Sequence, residues 1–530
     1  MSETASNPTV TATPARPAST AATAPETEPL DLEAITFDPR WALQVPPALM
    51  VRHRFLPLLQ IEDELHVAVE KRLDSSSSVL LERLSGCAIR EVPATGGSIR
   101  AVQSRLFGDL REALSMTRAA VNTQARNRGA AAEPSPDEAV KICDQILKGA
   151  IVRQASDIHF NVTREGEVQV RLRIDGVLVE DLLLPTALRL PIFNRIKVLG
   201  GLDISEKRAA QDGSFRFEPG KGQRPIEIRV ATISARHGER LTLRLLAREE
   251  KLLTLEGLGF AEEHQRLLAE AITLSHGMIL LTGPTGSGKS TTLYAALKYL
   301  LARKNVNVMT VEDPVEYEID GVTQTEVDPR KEKVSFASSL RSILRHDPDV
   351  VMLGEIRDAE TAELAIRAAL TGHLVLSTLH TNTALGAVTR LLDLGVDSFL
   401  ISSVLRLVAA QRLVRRLCPH CARPDAISAS EARRMRRPEL EGTPCRRATG
   451  CLHCAGRGYM GRTGLFEAVP LGAEIADTLA EAPGNRGLEG HLKEWSRSQK
   501  YPSLLDNGIS RVRAGETTVE EVLASTLDYI

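Results

Sequence analysis

Aromatic residues are scarce: 2 Trp, 6 Tyr and 11 Phe make up 4% of 530 residues. Surplus charge is scarce too, since 66 basic residues face 68 acidic ones for a net charge of −2. These two shortages remove the equipment of a nucleic-acid strand binder, a basic surface interleaved with stacking rings. No apolar run approaches the ~20 residues that a membrane helix requires. The opening MSETASNPTV has neither the basic start nor the apolar stretch of a secretory signal. The expectation is a cytoplasmic chain whose membrane contact is peripheral and runs through partners. Cysteine is sparse, but four of the seven fall in two tight pairs. In a reducing compartment disulfides are excluded, which leaves a metal site or buried thiols.

What remains is the composition of a globular protein, 43% hydrophobic and 25% charged, long enough for about three folded units. Residues 1–36 are rich in Ala, Thr, Pro and Ser and are expected to be a disordered tail. A small domain follows at 37–110, where Leu65, Val67 and Val69 alternate through ELHVAVE as in a half-buried strand. Residues 111–136 have no apolar period and read as a flexible linker. Ser135-Pro136-Asp137-Glu138 is a helix start. The region 137–250 is β-rich: Val168, Val170, Leu172 and Ile174 alternate up to an Asp175-Gly176 turn, and Val177 and Val179 resume beyond it. In its later strands Arg229, Arg240 and Arg244 project away from the apolar positions. From 251 to 530 the pattern is α/β. GMILLTG, VNVMTVED, DVVMLGE and HLVLSTLH are short apolar strands separated by helix-length segments, which predicts a mainly parallel sheet with helices on both faces.

Gly283-Pro284-Thr285-Gly286-Ser287-Gly288-Lys289-Ser290, followed by Thr291, fits the G-x-x-x-x-G-K-[ST] phosphate loop between a strand and a helix. Glycines there let backbone N–H groups turn toward phosphate oxygens at a helix N-terminus. Lys289 then reaches the terminal phosphates of ATP, and Ser290 holds Mg²⁺. In the helix, Leu293, Leu297, Leu300 and Leu301 are spaced to pack on the sheet. Glu355 ends a second apolar strand, where a carboxylate serves Mg²⁺. Glu316 is the candidate for steering the attacking water, with Glu312 and Asp313 beside it. The bland reading, that these acids cap loops or pair with arginines, stays open. His380 closes the next strand, placed either to sense the γ-phosphate, to bond Glu316, or as a structural residue; His373 has the weaker case.

Cys418-x2-Cys421 and Cys451-x2-Cys454 are separated by 29 residues. Two tight turns carrying two thiolates each make a tetrahedral Zn²⁺ site of structural type, with a small helical insertion in the long spacer. The module is expected to span 414–464. Cys87 and Cys143 read as core residues, and Cys445 as an unpaired extra.

Together these segments resemble the ATPases of type II secretion and type IV pilus assembly, with specific motifs over about 137–530. GPTGSGKSTTLY is similar to that family's Walker A, TVEDPVEY to its aspartate box, DPDVVMLGEIRD to its Walker B and TGHLVLSTLHTN to its histidine box. ASDIHF, VRLRIDGVL, LDISEKRAAQDG and HGERLTLRLL look like its second N-terminal domain, and CPHC…CLHCAGRGYMGRTGLFE like its tetracysteine module. The resemblance implies a RecA-like ATPase domain, a PAS-like α+β second domain and a small partner-binding N-terminal domain. It also implies a homo-hexamer with ATP at subunit boundaries, Glu316 as catalytic base, Glu355 as the Walker B acid and a role for His380. Arg229 and Arg244 match arginines that reach the nucleotide; without the family they are solvated strand-face residues. Two departures are Asn161-Val162-Thr163 after DIHF and His346 before the Walker B strand.

The implied function is an ATP-driven motor for pseudopilus assembly in type II secretion. Its partners are an inner-membrane platform protein and a membrane-anchored protein that offers a cytoplasmic domain. The alternatives are a type IV pilus assembly motor, a retraction motor, a nucleic-acid translocase, and a nucleotide-gated scaffold that barely turns over.

Overall fold

The computed structural model describes residues 29–32, 35, 41–42, 45, 50, 53–61, 63–107, 136–220, 225–246, 254–327, 334–451, 454, 456–472, 475, 478–479 and 485–526. Most of the expected tail, the linker up to residue 135 and the capping Ser135 lie outside the described residues.

The first sheet contains β1 (Phe55–Ile61), β2 (Glu64–Val69) and β3 (Ala88–Pro93), with β2 in the middle, antiparallel to β1 and parallel to β3. The expected half-buried β2 is corrected here. Leu65, Val67, Ala68 and Val69 are all buried and His66 is 8% exposed. A central strand is covered on both faces, so the two small or polar positions that an alternation assigns to water face protein instead. Burial, helped by the Arg90 charge, lowers the His66 pKa. Cys143 is a core residue as expected, whereas Cys87 is only half-buried, in the turn before β3.

A second, antiparallel sheet follows: β4 (Ala155–Val162), β5 (Val168–Ile174), β6 (Val177–Leu184), β7 (Gln211–Phe217), β8 (Ile226–Ala235) and β9 (Gly238–Leu246), in the order β6-β5-β4-β9-β8-β7. The helices Pro136–Val152 and Thr186–Leu199 pack on it through Ile146, Leu147, Ile192 and Phe193. Asp175 (φ 50°) and Gly176 (φ 85°) both adopt the left-handed conformation that a two-residue hairpin needs to match strand twist. Ile228, Val230, Leu241, Leu243 and Leu245 point into the core, so Arg229 and Arg244 stand on the opposite face.

The third sheet has seven strands. β10 (Gly277–Thr282), β11 (Val308–Glu312), β12 (Val322–Glu326), β13 (Val350–Leu353), β14 (Leu374–Leu379) and β15 (Leu405–Leu417) run parallel. After the two-stranded ribbon β16 (Arg423–Ala426) and β17 (Pro444–Arg447), β18 (Tyr459–Pro470) returns antiparallel to β15. The order is β12-β11-β13-β14-β10-β15-β18. Alternate residues of β10 enter different cores, Met278 and Leu280 on one side and Ile279 and Leu281 on the other. That two-sided burial explains the unbroken apolar runs. Leu293, Leu297 and Leu300 are buried against the sheet as their spacing predicts.

Candidate functional site

The phosphate loop leaves the sheet at Thr282 and enters the helix Lys289–Leu301. Gly283, Gly286 and Gly288 have φ of 147°, 79° and 90°, which L side chains rarely adopt. At Gly283 space is also exhausted, because a Cβ would lie 2.5 Å from the Gln411 carbonyl oxygen. Lys289 is buried and its ammonium donates to the carbonyl oxygens of Gly283 at 2.8 Å and Pro284 at 3.1 Å. Burial lowers its pKa, while the Glu355 carboxylate pulls the other way. The Ser287 hydroxyl is buried with no hydrogen-bond partner among the described residues. Pro284, Thr285, Gly286 and Ser290 are exposed and Thr291 is half-buried. A cradle with a free buried hydroxyl, a folded-back lysine and a helix N-terminus fits a nucleotide's phosphates.

β14 separates β13 from β10, so the ends of β13 and β14 lie side by side. This brings Glu355 and His380 together, with His380 Nε2 2.7 Å from Glu355 Oε2. The expected option of a bond from His380 to Glu316 is corrected by that pairing. Arg357 grips Glu355 from the other side and reaches Asp313 Oδ2 at 3.4 Å. Burial works to raise the Glu355 pKa, but the hydrogen bonds and charges of Arg357 and His380 outweigh it and hold it below the ordinary value. His373 Nδ1 lies 2.9 Å from the Ala368 carbonyl, a structural contact at the end of the helix Ala359–Leu370.

Glu312 is buried and its carboxylate is fully engaged: Thr310 Oγ1 donates at 2.7 Å, Gln324 Nε2 at 2.9 Å, and the Tyr294 hydroxyl to the other oxygen. Glu312 thus neither caps a loop nor pairs with an arginine; the arginine pairing of the bland reading is found at Glu355 and Asp313, both on Arg357. Glu316 is exposed, and its backbone N–H donates to the Tyr294 oxygen at 3.1 Å. Tyr294 therefore ties the helix behind the phosphate loop to the loop that carries Glu316. Sequence reasoning missed Tyr294, whose only signal is a hydroxyl among the buried positions of that helix. It also missed Gln411 and Arg412 on β15, buried polar residues behind the phosphate loop.

Arg229 and Arg244 face each other across β8 and β9 in direct register. Arg244 Nε donates to Asp157 Oδ1 at 3.0 Å. Both arginines belong to the second sheet, whereas Lys289 and Glu355 follow strands of the third.

The sulfurs of Cys418, Cys421, Cys451 and Cys454 all lie within 4.8 Å of one another. The Cys418–Cys451, Cys421–Cys454 and Cys451–Cys454 separations are 3.7, 3.8 and 3.8 Å. A tetrahedron with Zn–S bonds of about 2.3 Å has edges of about 3.8 Å, so the four cysteines fit zinc. Backbone N–H groups of Gly450, Cys451 and Gly458 point at the sulfurs of Cys421, Cys454 and Cys454, at 3.3, 3.2 and 3.1 Å, as suits thiolates. The spacer contains the expected helix, Ala429–Arg434, and the ribbon β16–β17 as well. Cys445 is buried in that ribbon.

A mainly parallel RecA-like sheet, a complete phosphate loop and an acid at a neighbouring strand end define a P-loop ATPase. Comparison with known proteins narrows the class. The chain belongs to the Type II/IV secretion system protein family, which matches residues 134–524; residues 26–113 match the MshEN domain. It is 46% identical over 394 residues to the type II secretion system ATPase E of Vibrio cholerae serotype O1, covering 74% of this chain and 76% of that one. It is 42% identical over 408 residues to the type IV pilus assembly ATPase PilB of Thermus thermophilus, covering 74% and 44%. The structure resembles the Legionella pneumophila ATPase DotB with a TM-score of 0.55 at 22% identity, covering 75% of this chain and 97% of that one, a likeness of fold.

Proposed function

We propose that this chain is the cytoplasmic ATP-hydrolysing motor that powers pseudopilus assembly for type II protein secretion. The observation that carries the reading is the phosphate loop with buried Lys289 beside the Glu355–His380 pair, in a chain 46% identical to a type II secretion ATPase over most of its length. Residues Gly283–Thr291 embrace the phosphates of ATP. Ser290 and Glu355 are the residues that would hold Mg²⁺, which when bound neutralises phosphate charge. Glu316 orients or deprotonates the attacking water, and His380 holds Glu355 in place. Arg229 and Arg244, side by side on a rigid sheet, offset charge on the γ-phosphoryl group. The four cysteines take zinc in a structural role, since their donor set leaves no open position.

The working unit in this reading is a homo-hexamer that the 37–110 domain tethers to a membrane-anchored partner. The 251–530 domain turns over ATP, and motion relative to the 137–250 domain drives an inner-membrane platform protein. Among the described residues no helix is long and apolar enough to cross a membrane. The second reading is a type IV pilus assembly motor, favoured by the 42% identity to PilB. A gene deletion separates the two: exported proteins stranded in the periplasm indicate secretion, and loss of surface pili indicates the other. The chemistry is tested by Glu316→Gln, which keeps ATP binding while turnover falls by about 10² or more. Near-normal hydrolysis by that variant removes Glu316 from its role.

A further inference from the structure

The strand β15 lies between β10, which feeds the phosphate loop, and β18. Its Gln411 and Arg412 are 3% and 5% exposed, whereas the other polar residues of the strand, Arg406, Arg415 and Arg416, are only partly covered or exposed. Gln411 backs the phosphate loop: its Oε1 accepts from Thr292 Oγ1 at 2.9 Å, and its main-chain oxygen is the atom that leaves no room at Gly283. Arg412 donates from Nη1 to that same Gln411 oxygen at 3.0 Å, and from Nη2 to the main-chain oxygen of Asn382 at 2.9 Å. Asn382 is two residues beyond His380, in the loop after β14. The guanidinium thus has one arm at the back of the phosphate loop and the other in the segment carrying the histidine that holds Glu355. A second tie runs the same way, from Thr282 Oγ1 to the Thr383 carbonyl at 3.3 Å. A planar fork holds two carbonyl oxygens in one fixed geometry, whereas an ammonium is a point donor on a flexible stem. The Arg412 charge also lies close enough to Lys289 to contribute to lowering that ammonium's pKa.

We propose that Arg412 is a positioning residue for ATP hydrolysis, which fixes the His380 loop, and through it Glu355, against the phosphate loop without touching the nucleotide. This rests on the ATPase reading of the site. The loop after β14 has no regular secondary structure between His380 and Leu385. Its main chain is held by these two side-chain contacts on the Lys289 side, and by the buried Glu467 carboxylate, which accepts from the Ala384 N–H.

The test uses the full-length chain with Arg412→Lys, Arg412→Met, His380→Gln and the Arg412→Lys/His380→Gln double variant. Steady-state turnover, binding of a fluorescent ADP analogue and thermal melting are measured on each. Arg412→Lys keeps charge and fold, lowers kcat by about tenfold and leaves KM and ADP affinity within about threefold, the signature of a displaced catalytic group. The double variant falls no further than the more damaged single one, because both changes act through one loop. Arg412→Met empties the site of charge; should it fail to fold, the lysine variant carries the test alone. The proposal is overturned if kcat of Arg412→Lys stays within about twofold of the parent. It is equally overturned if turnover falls only in step with ADP-binding capacity, as a merely structural role dictates, or if the two substitutions multiply. An active parent with an active Arg412→Lys removes this proposal alone; an inactive parent removes the ATPase reading with it.

Discussion

Replacing Tyr294 by Phe takes away one oxygen that serves the Glu312 carboxylate and the backbone N–H groups of Glu316 and Tyr317. In the parent, that hydroxyl donates to one oxygen of the buried Glu312 carboxylate and accepts the backbone N–H of Glu316. Thr310 and Gln324 both donate to the other carboxylate oxygen, so they do not replace it. A hydrogen bond to a charged group contributes about 1.5–3 kcal/mol, and here the loss leaves a buried acceptor stranded. At roughly 2–4 °C per kcal/mol for a unit of this size, a loss of about 2 kcal/mol lowers the melting of the ATPase part by about 4–8 °C. The backbone contact to Glu316 sets the catalytic consequence. With its backbone released from Tyr294, the exposed Glu316 is less well fixed, and displacements of the order of 1 Å cost up to about 10² in rate. The expected result is kcat down by about tenfold with ADP affinity within about threefold, read by a coupled ATPase assay and fluorescent-nucleotide titration. A variant that melts within about 1 °C of the parent and turns over normally refutes the anchoring argument.

Three further outcomes are expected. Purified chain should carry about one zinc, and stripping it with a strong chelator, or Cys418→Ser, should expose the 418–458 segment to proteases while the rest of the chain resists; metal analysis and limited proteolysis check this. Gly283→Ala should lose nucleotide binding by about tenfold or more, because both φ and the Gln411 carbonyl exclude a Cβ; nucleotide titration decides it. Arg447, which binds Asp425, Glu431 and Glu520, holds the Glu431 carboxyl down to about 2 through its hydrogen bond, assisted by Ser428. A folded-state pKa below the ordinary 4.5 means stability present above pH 4.5 and lost as pH falls toward 2. The melting gap between parent and Arg447→Met should therefore be widest near neutral pH and shrink in acid.

The parts of the site legible in the sequence are those with local causes. Gly283, Gly286 and Gly288 announce their backbone angles, Asp175-Gly176 announces a hairpin, and two pairs of cysteines announce a tetrahedron. The apolar strands β10, β11, β13 and β14 were readable because burial on both faces leaves no polar interruption. What escaped depends on which strands become neighbours. His380 meets Glu355 because β14 adjoins β13, and nothing in the spacing of TGHLVLSTLHTN favours that acid over Glu316. Gln411 meets Thr292 across 119 residues of chain, so its role has no local signature. The alternation in ELHVAVE misled for a related reason, since one face's pattern says nothing about what covers the other.

The four sulfurs sit at the mouth of an excursion: β15 ends at Leu417, immediately before Cys418, and the chain re-enters the sheet as β18 at Tyr459, five residues past Cys454. A metal bound there would make two strand ends that are far apart in sequence, though paired in the sheet, behave as if joined by a short turn. Since each doubling of an open loop costs only about 0.6 kcal/mol, and the pin removes even that from the sheet, the ribbon and helix beyond it are free to grow, shrink or acquire a new surface. With the metal bound, the seventh strand would keep its place in the sheet whatever is hung outside the knot.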